Sequence, residues 1–170
     1  MRALLILGIV LALCGPVTAS AQTLEQAKKT HIEKTLKTAE GQKIKAAVEK
    51  YSKDYKLDKN YVYAIAYTES SFNHRAVSSC GAKGTMQMLE STFKARGGTN
   101  IWDIDQQIKY GCKHLAGLLA KYKGNMYLAT SAYLMGGSAI DRYNGQTPPA
   151  ARHYVNKVFS NLRIIEIAQF

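Results

Sequence analysis

Apolar positions along this chain recur at helical spacing almost throughout. Residues 23–40 are rich in Ala, Leu, Glu, Gln and Lys, and Leu24, Ala27, Ile32, Leu36 and Ala39 form a weak apolar stripe. That pattern predicts a helix interrupted at Gly41. A second helix follows with Ile44, Ala47, Val48 and Tyr51 on one face. A third, over 58–70, opens on Asp58 as N-cap and aligns Val62, Ile65, Ala66 and Glu69. The Ser-, Gly- and Ala-rich stretch 73–84 reads as a loop. Further helices are predicted over 85–96, ending at Gly97-Gly98, and over 103–122, with Ile104, Ile108, Leu115, Leu118 and Leu119 inward. Another covers 126–135 up to Gly136-Gly137, and the last runs from Pro148-Pro149 to about 160 with Val155 and Val158 inward. No segment alternates long enough to make a strand, and no internal repeat is visible. The pattern predicts an all-α fold.

The apolar run that opens the chain obeys a different logic. Met1-Arg2 leads into the uncharged Ala3–Leu13, then Gly15-Pro16 and the small triplet Ala19-Ser20-Ala21. A positive start, a short apolar core and an A-x-A site describe a secretory signal peptide cut after Ala21; the core is too short to span a bilayer. The alternatives are an N-terminal anchor and lipidation at Cys14, but Leu13 precedes that cysteine where lipoprotein signals usually carry Gly, Ala or Ser. The expected organisation is a signal peptide over 1–21, a basic helical extension over 22–42 and one domain over 43–165. The mature protein is expected to be periplasmic or secreted, and monomeric.

Composition narrows the function classes. With 23 Lys+Arg against 12 Asp+Glu the net charge is +11, yet 46% of the 170 residues are apolar, which excludes a disordered basic tail. Ten lysines between Lys28 and Lys59 raise the possibility of a nucleic-acid binder. Export argues against it, so no nucleic acid is expected as partner, and the charge suits an anionic wall or membrane surface. Cys80 and Cys112 remain after the leader is removed, and in an oxidising compartment they are expected to form one disulfide. Closing a loop of about 30 residues would add roughly 3 kcal/mol; the alternative is two free thiols. The cysteines form no C-x-x-C, and His31, His74, His114 and His153 show no ligand spacing, so neither metal nor cofactor is expected.

Glu69 is the informative residue. Its carboxyl falls on the apolar stripe of its helix, just before the Gly-rich loop, where a surface helix would place it on the opposite face. Burial there disfavours ionisation and keeps an acid protonated towards neutral pH, as glycosidic cleavage needs for its leaving oxygen. A Glu satisfied by loop amides at a helix end is the plainer alternative. The surrounding residues favour the acid. Glu69-Ser70-Ser71-Phe72, Ala76-Val77-Ser78 and Gly81-Ala82-Lys83-Gly84-Thr85-Met86-Gln87-Met88 closely resemble the signature of the soluble lytic transglycosylase family. Gln107-Ile108, Gly111 and Leu115, then Ala132-Tyr133, then Thr147, Tyr154, Val155 and Val158 extend the resemblance over about residues 44–160.

The resemblance implies a single lysozyme-like, goose-type helical domain acting on peptidoglycan glycan strands. It implies that Glu69 is the sole catalytic acid/base, that Ser78 hydrogen-bonds it, and that Gln87 and Met88 contact the saccharide. Tyr133 would lie beside the carboxyl with Tyr154 close behind, although tyrosines and Met88 also suit ordinary core packing. The implied reaction cleaves the β-1,4 bond between N-acetylmuramic acid and N-acetylglucosamine, with the muramoyl C6 hydroxyl closing a 1,6-anhydro ring. The rivals are a hydrolytic lysozyme, for which Asp103 or Asp105 is the nearest second carboxylate, and a non-catalytic wall-binding module. By analogy with small exported members, envelope secretion or conjugation machinery is a further candidate partner. Two departures stand out. Gln107 replaces the family's Asn, and Leu134-Met135 follow Tyr133 where the family has Asn-Ala. Leu134 is expected to pack into the core as part of a repacked pocket wall.

Overall fold

The structure, a computed structural model, describes residues 19–168 and residue 170. Within them the chain forms eight helices: α1 Ala19–Leu36, α2 Ala39–Asp54, α3 Lys59–Ser70, α4 Glu90–Ala95, α5 Ile104–Lys121, α6 Met126–Met135, α7 Gly137–Arg142 and α8 Pro149–Ile167. The expected signal peptide lies outside the described residues, apart from Ala19, Ser20 and Ala21 in the first turn of α1. No described helix is long and apolar enough to cross a membrane.

Local rules account for most boundaries. Asp58 caps α3 as expected, its carboxylate accepting from the Asn60 amide, and Asp103 and Asn125 cap α5 and α6 in the same way. Gly41 is no breaker. It lies in the first turn of α2, whose N-cap is Thr38, and the chain turns between Leu36 and Ala39 instead. The helix predicted over 85–96 is shorter, since residues 85–88 belong to the loop and α4 begins at Glu90. Two isolated antiparallel bridges, Val77 with Lys83 and Lys83 with Met88, staple that loop. The Gly136-Gly137 break is real, but α7 starts at once from Gly137.

The core is built around α3. Every residue from Tyr61 to Thr68 is buried, so α3 has no solvent face, and the stripe that singled out Glu69 is only one side of an enclosed helix. It packs mainly against α8 and also against α2, while α2 lies along α5, and α6 contacts α5, α7 and α8. Ile32 and Leu36 bring α1 into the same core cluster. The end of α3 is positioned by strain offset by burial. Ser71 and Phe72 have φ of 53° and 67°, left-handed values that non-glycine residues avoid. Phe72 is nevertheless buried, edge-on to Tyr63 and tilted against Tyr67 at 6.3 and 5.4 Å. Its packing holds the turn that starts directly after Glu69-Ser70.

Candidate active site

Glu69 opens into a cleft of about 500 Å³ walled by the 78–89 loop, Thr92, His114 of α5, residues 132–135 of α6 and Gly136. Among the described residues its carboxyl is the sole one on that wall. Burial outweighs the phenol bond and the Lys157 charge, which both favour the anion, and the pKa is pushed up to about 7. Near neutral pH the group therefore carries a transferable proton about half the time.

Tyr133 shares the cleft wall with Glu69, and Tyr154 bonds its carboxyl. Tyr154, from α8, donates its hydroxyl hydrogen directly to Glu69 Oε1. Tyr133, from α6, donates to the Met86 carbonyl at 2.8 Å and is held well above its ordinary pKa by burial and the Glu69 charge. One tyrosine orients the acid, and the other ties the loop to the helical frame.

Ser78 lines the cleft, but its hydroxyl accepts from the Ala82 amide at 3.0 Å rather than bonding Glu69. Gln87 also faces the cleft; at φ of 44° its side-chain amide donates to the Ala76 and Gly84 carbonyls at 3.1 and 3.0 Å, bracing the loop. Met88 borders the cleft while being only 5% exposed, so its side chain is mainly core floor. Leu134 is not in the core. It is 46% exposed on the cleft wall, because the turn of α6 that buries Ala132 points the next-but-one side chain outward.

The expected Cys80–Cys112 disulfide is absent, and both thiols are free. Cys112 lies wholly inside the core on α5, and burial pushes its pKa up to about 12. Cys80 is exposed at the cleft rim, so the two residues occupy different environments that no bridge joins. Among the described residues no cluster of three or more His, Cys, Asp or Glu could hold a metal ion.

Sequence reasoning named Gln107 but missed its part in shaping the loop. Gln107, 2% exposed on α5, accepts from the Thr85 amide at 2.7 Å and donates to the His74 and Ile101 carbonyls at 3.0 and 2.8 Å. Three backbone segments hang on one side-chain amide. Gly84, at φ of +78°, makes room for it, since a Cβ there would stand 2.4 Å from the Gln107 amide. Gly111 does the same for Met86, whose sulfur would lie 2.2 Å from an added Cβ. The available signal was a long polar residue one position before Ile108 on an otherwise apolar face.

The family model for the transglycosylase SLT domain matches residues 46–156, which include Glu69, the loop, α5, α6 and Tyr154. The chain belongs to this family. As an SLT domain it is 35% identical over 114 residues to a transglycosylase of Enterobacteria phage PRD1, spanning 67% of this chain and 41% of that protein. It is 30% identical over 99 residues to membrane-bound lytic murein transglycosylase F of Salmonella arizonae, spanning 55% of this chain and 19% of that protein. The SLT chain thus spans less than half the length of these curated relatives. The 70 kDa soluble lytic transglycosylase of Escherichia coli shares the fold, with a TM-score of 0.67, 20% identity and coverage of 72% of this chain and 24% of that one. The expected lysozyme-like all-α domain is therefore the observed one.

Proposed function

We propose that this protein is a peptidoglycan lytic transglycosylase. The reading rests on one observation: the cleft presents a single carboxyl, buried enough to hold a proton near neutral pH, with no second carboxylate beside it. Glu69 donates its proton to the glycosidic oxygen between N-acetylmuramic acid and N-acetylglucosamine as that C–O bond breaks. The resulting carboxylate, held by the Tyr154 hydroxyl, then takes the proton from the muramoyl C6 hydroxyl as O6 bonds to C1. The proton count returns to its start, and no water is consumed. SLT relatives named as transglycosylases support this outcome.

The carboxylates that hydrolysis would call on are committed elsewhere. Asp103 accepts from the Gln106 amide at 2.8 Å as the cap of α5, and Asp105 accepts from the Tyr51 hydroxyl at 2.7 Å. Both line a separate groove between α2 and the start of α5. Export by the N-terminal leader would deliver the domain to its wall substrate. Mass analysis of fragments released from purified sacculi tests the reaction: muropeptides lighter by one water than hydrolysis products are expected. Reducing-end products would show a lysozyme, and no release would show a binding module.

A further inference from the structure

We propose that His114 contacts the substrate: Arg96 holds its imidazole as the Nε2–H tautomer, and that N–H donates one hydrogen bond to an acceptor oxygen of the glycan. The inference rests on the reading that the cleft binds peptidoglycan glycan.

His114 was set aside in the sequence for want of a metal-ligand partner, yet α5 delivers it to the cleft wall. The Arg96 guanidinium Nη2 lies 3.0 Å from His114 Nδ1. A guanidinium carries donors and no acceptor, so Nδ1 must be the accepting nitrogen and the ring proton must reside on Nε2. Among the described residues Nε2 has no hydrogen-bond partner. It is not sealed away either, since the Thr85 hydroxyl is the one buried side-chain polar atom without a partner among the described residues. An unbonded N–H with solvent access, on a residue that walls the cleft, is free to meet a ligand there.

Its surroundings keep the ring neutral and fixed. The imidazole packs against the Tyr133 ring at 5.4 Å, and burial together with the Arg96 charge holds its pKa down at about 4. The side-chain nitrogens on the cleft wall belong to Gln87 and His114, and that of Gln87 is spent on two loop carbonyls. His114 thus supplies the unspent N–H donor of the wall. A glycan offers hydroxyl and acetamido carbonyl oxygens to such a donor, whereas a cationic ligand would offer it nothing to bond.

Two measurements test this. The first uses protein labelled with ¹⁵N-histidine and carrying Glu69→Gln, so that bound sugar stays intact. Long-range ¹H–¹⁵N correlation should show His114 as the Nε2–H tautomer, neutral from about pH 5 to about pH 8. A tetrasaccharide of alternating N-acetylglucosamine and N-acetylmuramic acid should then shift that N–H. An Nδ1–H tautomer overturns the inference, as does a tetrasaccharide that shifts Ala132 and Tyr133 amides while leaving His114 Nε2 unmoved. Absence of any binding overturns the glycan reading and this inference together. The second measurement compares His114→Gln, which keeps an N–H donor, with His114→Phe, which keeps the ring against Tyr133 and lacks one. His114→Phe should raise KM about threefold to tenfold with little change in kcat, and His114→Gln should recover most of it. Equal KM for both variants and wild type overturns the proposal.

Discussion

Replacing Glu69 by Gln should remove activity and, at alkaline pH, make the protein more stable. The structure sets the size of both effects. The carboxyl pKa is raised from 4.5 to about 7, chiefly by burial. Between those values the folded protein keeps a proton that the unfolded chain has released, so the folded state binds more protons and stability falls as pH rises through the window. By pH 8 the ionised carboxylate costs about 3 kcal/mol. Gln keeps the shape and can still accept from the Tyr154 hydroxyl, but its amide nitrogen enters a half-buried place, which returns about 1 kcal/mol of that gain. The expected net is about 2 kcal/mol of stabilisation at pH 8, a Tm rise of about 4–8 °C for a chain of this size. At about pH 4.5 the gain should vanish or turn into a slight loss. In the proposed mechanism one group serves both proton transfers, so turnover on sacculi should fall at least about 10²-fold at every pH. Calorimetry at the two pH values and turbidity clearance on sacculi measure these. A Tm difference that is the same at both pH values would refute the buried-acid account, and more than a tenth of wild-type turnover would refute the catalytic one.

Tyr154→Phe removes a bond that favours the Glu69 anion, so the pKa of the acid rises. The alkaline fall in kcat/KM, expected near pH 7 in the wild type, should move to higher pH while the maximum drops, as a pH–rate profile will show. Gln107→Ala strands the Thr85 amide and the His74 and Ile101 carbonyls, and should cost about 2–5 kcal/mol by chemical denaturation. Leu134→Asn, on an exposed stretch of the cleft wall, should leave Tm within about 2 °C and speed turnover on sacculi by about twofold to tenfold if Asn bonds the sugar. A fall in Tm of more than about 5 °C would place Leu134 in packing after all.

The sequence by itself determined the helical class and most helix boundaries, and it singled out Glu69. Those readings depend on near neighbours along the chain: an Asp at an N-cap, apolar residues three and four apart, and a charged residue on an apolar stripe. The family pattern added the loop and the tyrosines because it, too, is a pattern of spacing. What lies between segments distant in the chain was decided by tertiary structure. Which tyrosine bonds Glu69 depends on how α6 and α8 approach α3, and Tyr154 reaches it across 85 positions of sequence. Gln107 braces the loop because α5 passes beneath Gly84, and α5 also carries His114 to the cleft wall, where Arg96, 18 positions away, bonds its Nδ1. The cysteines make the same point from the other side. Compartment and count favoured a bridge, but Cys112 is buried within α5 while Cys80 is exposed in the loop. Composition reports which groups are present; packing sets which of them meet, because a hydrogen bond or a disulfide exists only within a few ångströms.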